Sequence, residues 1–91
     1  METRHVLVAD DEPHIGRIIK MKLEQGPFRV TLAYDGQEAV DLLEANHDID
    51  LVLLDLMMPK LTGFDVLAKI RQRERRPRVI VVSANLRCAG S

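Results

Sequence analysis

The stretch VLVADDEP, residues 6–13, decides the fold class, because its apolar run ends directly in two acidic residues. A continuous run of β-branched and leucine residues is typical of a parallel strand that helices cover on both faces. Such a strand delivers Asp10 and Asp11 to the carboxyl-end edge of a sheet, where open α/β sheets bind ligands. A second run, LVLL at 51–54, ends in Asp55 in the same way. The sequence therefore predicts three carboxylates at one edge of a parallel sheet.

Two further runs complete the predicted sheet. RVIVV at 78–82 is continuously apolar after its first residue, whereas FRVTLA at 28–33 partly alternates between apolar and polar residues. Alternation indicates a strand that is covered less completely, so we expect the second strand to lie near an edge of the sheet. The four predicted strands are 5–9, 28–33, 50–54 and 78–82.

The segments between the strands carry apolar residues at helical spacing. The predicted helices are Glu12–Gln25, with Ile15, Ile18, Ile19 and Leu23 on one face; Gly36–Asn46, with Ala39, Val40 and Leu43; and Gly63–Arg73, with Phe64, Leu67 and Ile70. Pro13 suits a first helical turn, Gly26 a helix end, Asp35 with Glu38 a capping pair, and Thr62 an N-cap. The order βαβαβαβ predicts right-handed crossovers onto a parallel sheet.

The overall composition excludes several classes of protein. The chain has 91 residues, 46% apolar and 30% charged, with a net charge of -1, which fits one small domain and gives no general support for nucleic-acid or membrane binding. The apolar runs are too short to span a membrane. The single cysteine, Cys88, excludes an internal disulfide framework and favours a reducing compartment, so we expect a cytoplasmic location.

The three acidic residues predict a metal site. If the first and third strands are neighbours, Asp10, Asp11 and Asp55 converge, and they repel one another unless a hard cation such as Mg²⁺ binds there. A carboxylate in such a site can also act as a nucleophile towards a phosphoryl group. Ser83, which follows the fourth strand, would add a hydroxyl to the same crevice. The simpler alternative is that the acid pair only caps a helix and that Asp55 lies in a solvated loop.

Four segments of the sequence together resemble the receiver domain of two-component response regulators. They are VLVADDEP, YDGQEAV, DLVLLDLMMPKLTGFDVL and VIVVSA, and the resemblance extends from residue 5 to about residue 84. The acid pair, the strand-end Asp55, the MP that follows it and the Ser-Ala after the fourth strand make the resemblance specific. Together with the short length of the chain, the resemblance leads us to expect that residues 1–91 form a single truncated receiver domain.

The resemblance also implies a role for each matching residue. Asp55 would be the phosphoacceptor, and Mg²⁺ would be bound by Asp10, Asp11, Asp55 and the backbone carbonyl of Met57. The hydroxyl of Ser83 would hydrogen-bond the phosphoryl group and couple it to loop movement. The partner would be a histidine kinase or a phosphotransfer protein, and the domain would be a switch rather than an enzyme. Pro59 and Gly63 would shape the loop over the site.

A receiver domain has a fifth βα unit, whose strand ends in a lysine that pairs with the phosphoryl group, and this unit does not follow Ser83 in the sequence. We therefore expect an α/β, flavodoxin-like, doubly wound parallel sheet of strand order 2-1-3-4 that lacks the fifth strand and final helices. The apolar edge of the fourth strand would then be exposed to solvent unless another segment of protein packed against it. One hypothesis is a homodimer formed through this edge. The alternative function is a truncated receiver that folds and self-associates but is not a competent phospho-switch.

Other interpretations have less support in the residues. An aspartyl-nucleophile phosphatase of the haloacid dehalogenase kind wants a second Asp two residues after the nucleophile, where this chain has Met57. A nucleotide-binding domain would need a glycine-rich loop after the first strand. The basic run RQRERRPR at 71–78 ends a helix, where cations are favoured by the helix dipole. The histidines His5, His14 and His47 show no metal-ligand spacing and are interpreted as ordinary surface or strand-end residues.

Overall fold

A computed structural model of the protein describes residues 3–56, 62–73 and 77–81. Strands and helices alternate along the chain in the predicted order. The elements are β1 (Arg4–Ala9), α1 (Pro13–Glu24), β2 (Phe28–Ala33), α2 (Gly36–Ala45), β3 (Ile49–Leu54), α3 (Gly63–Arg71) and β4 (Arg78–Val81). Each helix ends one or two residues before its predicted end. None of the helices in these ranges is long and apolar enough to cross a membrane.

The four strands form one parallel sheet in the order β2-β1-β3-β4, as the sequence predicted. The strand β2 lies at an edge, which confirms the interpretation of its alternating pattern. In the register, Ala9 lies between Ala33 on one side and Leu54 on the other. Because all three residues end their strands, the residues that follow them emerge at the same edge of the sheet.

Two apolar layers cover the sheet. The larger one lies between the sheet and the helices α2 and α3, and the predicted helix residues Ala39, Val40, Leu43 and Ile70 are all buried in it. On the other face, Ile19 and Leu23 of α1 pack against Val6, Val8 and Val30.

The predicted apolar face of α1 is only partly correct. Ile19 and Leu23 contact the sheet, but Ile15 and Ile18 have 38% and 58% of their surface exposed. The apolar pattern of a helix shows which side is apolar, but not how far the sheet extends beneath it. On α3, Phe64 is likewise 63% exposed, and the fully buried residue of its first turns is Val66.

The predicted helix starts are confirmed in their essentials. Pro13 occupies the first turn of α1. The carboxylate of Asp35 accepts the backbone N–H of Glu38 at 2.8 Å, and the carboxylate of Glu38 accepts the N–H of Tyr34 at 3.1 Å. The Glu38 side chain thus reaches one residue further back than a capping box requires. Gly26 closes α1 by donating its N–H to the Leu23 carbonyl at 3.0 Å.

The strand β4 forms the other edge of the described sheet. Among residues 3–56, 62–73 and 77–81, its paired strand is β3, with Leu53 opposite Ile80. Val79 packs against the larger apolar layer, whereas Ile80 on the α1 face is 51% exposed. The described part of this face therefore leaves apolar surface in contact with solvent.

Candidate metal centre

Backbone hydrogen bonds continue the sheet into the acidic residues and fix their positions. The N–H of Asp10 donates to the carbonyl of Ala33 at 3.0 Å, and the N–H of Asp55 donates to the carbonyl of Ala9 at 2.9 Å. Asp10 is therefore tied to β2, and Asp55 is tied to β1. The parallel register that places Ala9 beside Leu54 brings the two acidic residues together.

The three predicted carboxylates do meet at this edge. One oxygen from each of Asp10, Asp11 and Asp55 can be chosen such that all three atoms lie within 4.8 Å of one another. Asp10 is buried, Asp55 is half-buried and Asp11 is exposed. The other two predicted site residues, Met57 and Ser83, lie outside the residues that the structure describes.

The environment of Asp10 disfavours its negative charge. Burial raises the pKa of Asp10, and the nearby carboxylates of Asp55, Asp11 and Glu12 raise it further. The opposing influence is the backbone N–H of Glu12, which donates to the Oδ1 of Asp10 at 2.9 Å and lowers the pKa. A bound cation would relieve the repulsion among these groups.

The donor set fits a hard divalent cation. Carboxylate oxygens are the ligands that Mg²⁺ prefers, and Mg²⁺ commonly keeps several waters and uses few protein ligands. The mixed exposure of the cluster suits this chemistry, because Asp11 and Asp55 leave room for water on the open side. These three residues would hold the ion.

The start of α3 is fastened to the backbone beside Asp55. The N–H of Gly63 donates to the carbonyl of Leu56 at 3.1 Å. A Cβ on residue 63 would lie 2.5 Å from the Cα of Leu56 and 2.6 Å from the carbonyl oxygen of Asp55. Only glycine permits this approach. Thr62 and Asp65 complete the helix start with a capping box.

At the opposite end of the sheet, the amino-terminal ends of the strands hold a polar cluster that the sequence analysis did not predict. His5 does lie near a strand end, as one of the two sequence interpretations has it, but it is not a surface residue: it is only 4% exposed, and both ring nitrogens have polar partners. The available signal was its position at the start of the apolar run HVLVA, which indicates burial. The partners, Thr31 and Asp48, could not be read from sequence spacing.

Comparison with known proteins agrees with the fold. Residues 6–89 match the family model described as the response regulator receiver domain. The chain is 43% identical over 79 residues to the transcriptional regulatory protein CpxR of Escherichia coli K12, a match that covers 87% of this chain and 33% of CpxR. The chain spans about a third of the length of the curated relatives that it matches.

Solved receiver structures superpose closely. The receiver domain of the Francisella response regulator 1452 has a TM-score of 0.83 and 39% identity, covering 90% of this chain and 67% of that one. The response regulator TrrA of Thermotoga maritima, solved in complex with Mg²⁺ and BeF, has a TM-score of 0.83 and 32% identity, covering 90% of this chain and 70% of that one. Receiver domains are phosphoacceptors of two-component signalling that interact with histidine kinases or phosphotransfer proteins. By its sequence match, its sheet order and its acidic edge, this chain belongs to the response regulator receiver domain family.

Proposed function

We propose that this chain accepts a phosphoryl group on Asp55, with Mg²⁺ held by Asp10, Asp11 and Asp55. The observation that carries the proposal is the convergence of three carboxylates from the ends of β1 and β3. Bound Mg²⁺ would neutralise the site and polarise the oxygens of the incoming phosphoryl group. The donor would be the phosphohistidine of a kinase or of a phosphotransfer protein, and the location would be the cytoplasm.

The residues of the site divide the chemistry between them. A carboxylate oxygen of Asp55 attacks phosphorus, the new O–P bond forms as the P–N bond of the phosphohistidine breaks, and the electron pair returns to the donor imidazole. Asp55 suits this role because it is half-buried and therefore accessible, whereas Asp10 is buried and suits the role of a ligand. From the family resemblance, the Met57 carbonyl would be a further ligand and the Ser83 hydroxyl would bind the phosphoryl group.

Intact-mass measurement after incubation with acetyl phosphate tests this proposal. We expect one added phosphoryl group in the presence of Mg²⁺, none after chelation, and none in Asp55→Asn. Asp41→Asn is the matched control, because Asp41 is an exposed acid on α2 that bonds Gln37 on its own helix. Absence of the added group in the wild-type chain, or undiminished addition in Asp55→Asn, would refute the assignment.

A second candidate function is self-association without a competent switch, and exposed apolar residues on the α1 face of the sheet favour it. Ile80 on β4 is 51% exposed and Ile18 on α1 is 58% exposed, and large apolar surfaces on soluble proteins commonly mark contacts with other proteins. In this form, two copies of the chain would pair through β4 as a homodimer.

Light scattering at low micromolar concentration separates the two candidates when it is combined with the phosphorylation assay. We expect a dimer of the 91-residue chain that Ile80→Lys converts to monomer. Phe64→Lys is the control, because Phe64 is also a largely exposed apolar residue, at 63%, but lies on α3. A wild-type chain that remains monomeric excludes the dimer, and a dimer that takes up no phosphate favours the second candidate.

A further inference from the structure

A cleft opens at the amino end of the sheet. It has a volume of about 1040 Å³, and it is lined by residues from the starts of the four strands and from the ends of α2 and α3. Clefts of this size are typical of sites for small molecules. In the part of the chain that the structure describes, the titratable residues of the lining are Arg4, Arg73, Arg78, Asp48, Asp50, His5 and His47.

The two aspartates of the cleft are already engaged by other groups. Asp48 binds Arg29 and lies 3.1 Å from the Nδ1 of His5. A carboxylate oxygen of Asp50 accepts the backbone N–H of His5 at 3.0 Å. Asp48 thus has a cationic partner, whereas Asp50 is bound by a neutral donor.

Two arginines of the lining lack an anionic partner. Arg4 at the start of β1 and Arg78 at the start of β4 are exposed, and neither forms an ion pair with another residue that the structure describes. With the histidines counted as neutral, the lining and Arg29 together carry four positive and two negative charges. The cleft is therefore positive in a chain whose net charge is -1. A cleft with such a surplus concentrates anions.

The sheet places Arg4 and Arg78 on the same face. Arg4 is two residues before Val6, Val6 lies beside Leu51, and Leu51 lies beside Arg78. Residues two apart on a strand point to one face of the sheet, and so do residues paired across neighbouring parallel strands. The strands of the two arginines are two spacings of about 4.8 Å apart. Two long side chains at this separation can contact one anion of several linked phosphates from opposite sides.

A third arginine covers a helix end that would otherwise repel an anion. The Nη1 of Arg73 donates to the carbonyl of Leu43 at 2.7 Å. This carbonyl belongs to the last turn of α2, where the helix dipole is negative. The side chain of Asn46 covers the adjacent Leu42 carbonyl, to which it donates at 2.9 Å. The two contacts reduce the negative potential on this side of the cleft.

The helix dipole does not account for the whole of the basic run at 71–78. The helix α3 ends at Arg71, and Arg78 belongs to β4, where no helix end stabilises its charge. The permanently charged cations of the described lining are all arginines. Guanidinium groups bind phosphate oxygens through two parallel hydrogen bonds, so arginines favour phosphate as the anion.

We propose that this cleft binds an oligophosphate anion, either free or as the phosphate chain of a nucleoside triphosphate, with Arg4 and Arg78 as its main ligands. In the second case, the apolar side chains of Phe28 and Ile80, which also line the cleft, contact the nucleoside. The site is separate from the proposed Mg²⁺ site, because the two lie at opposite ends of β1. Either proposal can therefore fail without the other.

Isothermal titration calorimetry of the 91-residue chain, with sodium triphosphate and with ATP, tests this proposal at low salt and without divalent metal. We expect saturable binding of one anion per chain. Tighter binding of ATP assigns the site to a nucleoside triphosphate, and equal or weaker binding of ATP assigns it to the free phosphate chain. Absence of saturable binding for both anions would overturn the proposal.

Substitutions locate the binding. Arg4→Gln and Arg78→Gln should each weaken it about tenfold, because each removes a hydrogen bond between charged groups. Asp50→Asn should strengthen it, since the amide oxygen can still accept the His5 N–H while the negative charge is lost. Arg17→Gln is the matched control, because Arg17 is an exposed arginine on α1 that does not line the cleft. An equal loss in Arg17→Gln, or unchanged binding in both Arg4→Gln and Arg78→Gln, would overturn the assignment of the site.

Discussion

The two ends of the sheet handle charge in opposite ways. At the carboxyl end, three carboxylates lie together, and the charged groups that shift the pKa of Asp10 are all negative. At the amino end, Asp48 contacts both Arg29 and the buried ring of His5, and Asp50 accepts the backbone N–H of His5. Among the described residues, the cluster at the amino end therefore includes a cation beside its acids, whereas the charged groups that shift the pKa of Asp10 at the other end are acids.

The largest expected effect comes from disturbing the backbone at the carboxyl end. Gly63→Ala should destabilise the fold by about 3 kcal/mol, because a Cβ there meets backbone atoms that cannot move aside independently. Urea unfolding monitored by circular dichroism measures the loss.

Gly26→Ala is the matched control for that substitution. A Cβ at Gly26 makes its nearest contact at 3.5 Å, with the flexible side chain of Phe28. The free energy of unfolding should therefore change little. Equal losses of unfolding free energy in the two variants would show that the close contact of Gly63 with Leu56 does not cause the destabilisation.

Removing one charge from the acidic edge should stabilise the fold. Since the pKa of Asp10 is raised above its ordinary value of 3.8, the stability it contributes is present below that pH and is lost as the pH rises through the raised pKa. Asp10→Asn should therefore melt several degrees higher at neutral pH, because about 1 kcal/mol moves a domain of this size by about 4–8 °C.

Two further conditions make the Asp10→Asn experiment decisive. At about pH 3, below the ordinary pKa of an aspartate, Asp10→Asn should no longer melt at a higher temperature than the wild type. With Mg²⁺ present, the wild type should gain more stability than the variant, since a ligand stabilises the state that binds it. A variant less stable than wild type at neutral pH without metal would contradict the picture of an electrostatically strained edge.

Thr62→Ala should have a smaller effect at the same end of the sheet. The Thr62 hydroxyl accepts the N–H of Asp65, and the Asp65 carboxylate accepts the N–H of Thr62 at 3.0 Å. Loss of this cap should cost about 1 kcal/mol in thermal or urea unfolding. Thr3→Ala, at an exposed position before β1, is the control and should be neutral.

The smallest expected effect concerns Asp48, at the amino end of the sheet. The pKa of Asp48 is lowered, so the stability it contributes is present above about pH 4 and is lost as the pH falls through the lowered pKa. Asp48→Asn should consequently lose less stability than the wild type on acidification from about pH 5 to about pH 3. Asp41→Asn should follow the wild type. Identical profiles of stability against pH for Asp48→Asn and the wild type would show that Asp48 does not contribute to the loss of stability in acid.

The strand order and the acidic edge could be predicted because they depend on patterns local to each strand. An apolar run that ends in Asp10 or Asp55 shows by itself that the carboxylate lies at the end of a strand. Parallel pairing of β1 with β3 then brings these carboxylates together. The polar cluster around His5 lies where the pairing of β1 with β3 shifts register between His5 and Val6, and such a shift cannot be read from the alternation of residues in the sequence. The partial exposure of α1 was missed for a similar reason. Ile18 shares an apolar side with Ile19, but the neighbouring element decides whether that side is covered.

The bond between Gly63 and the Leu56 carbonyl has a mechanical consequence. It joins the first turn of a nine-residue helix to the carbonyl of the residue directly after Asp55. Because a Cβ on residue 63 would lie 2.5 Å from the Cα of Leu56, the helix start and the residue after Asp55 are in close backbone contact. If Asp55 takes up a phosphoryl group as proposed, a shift of Leu56 should therefore displace the first turn of α3.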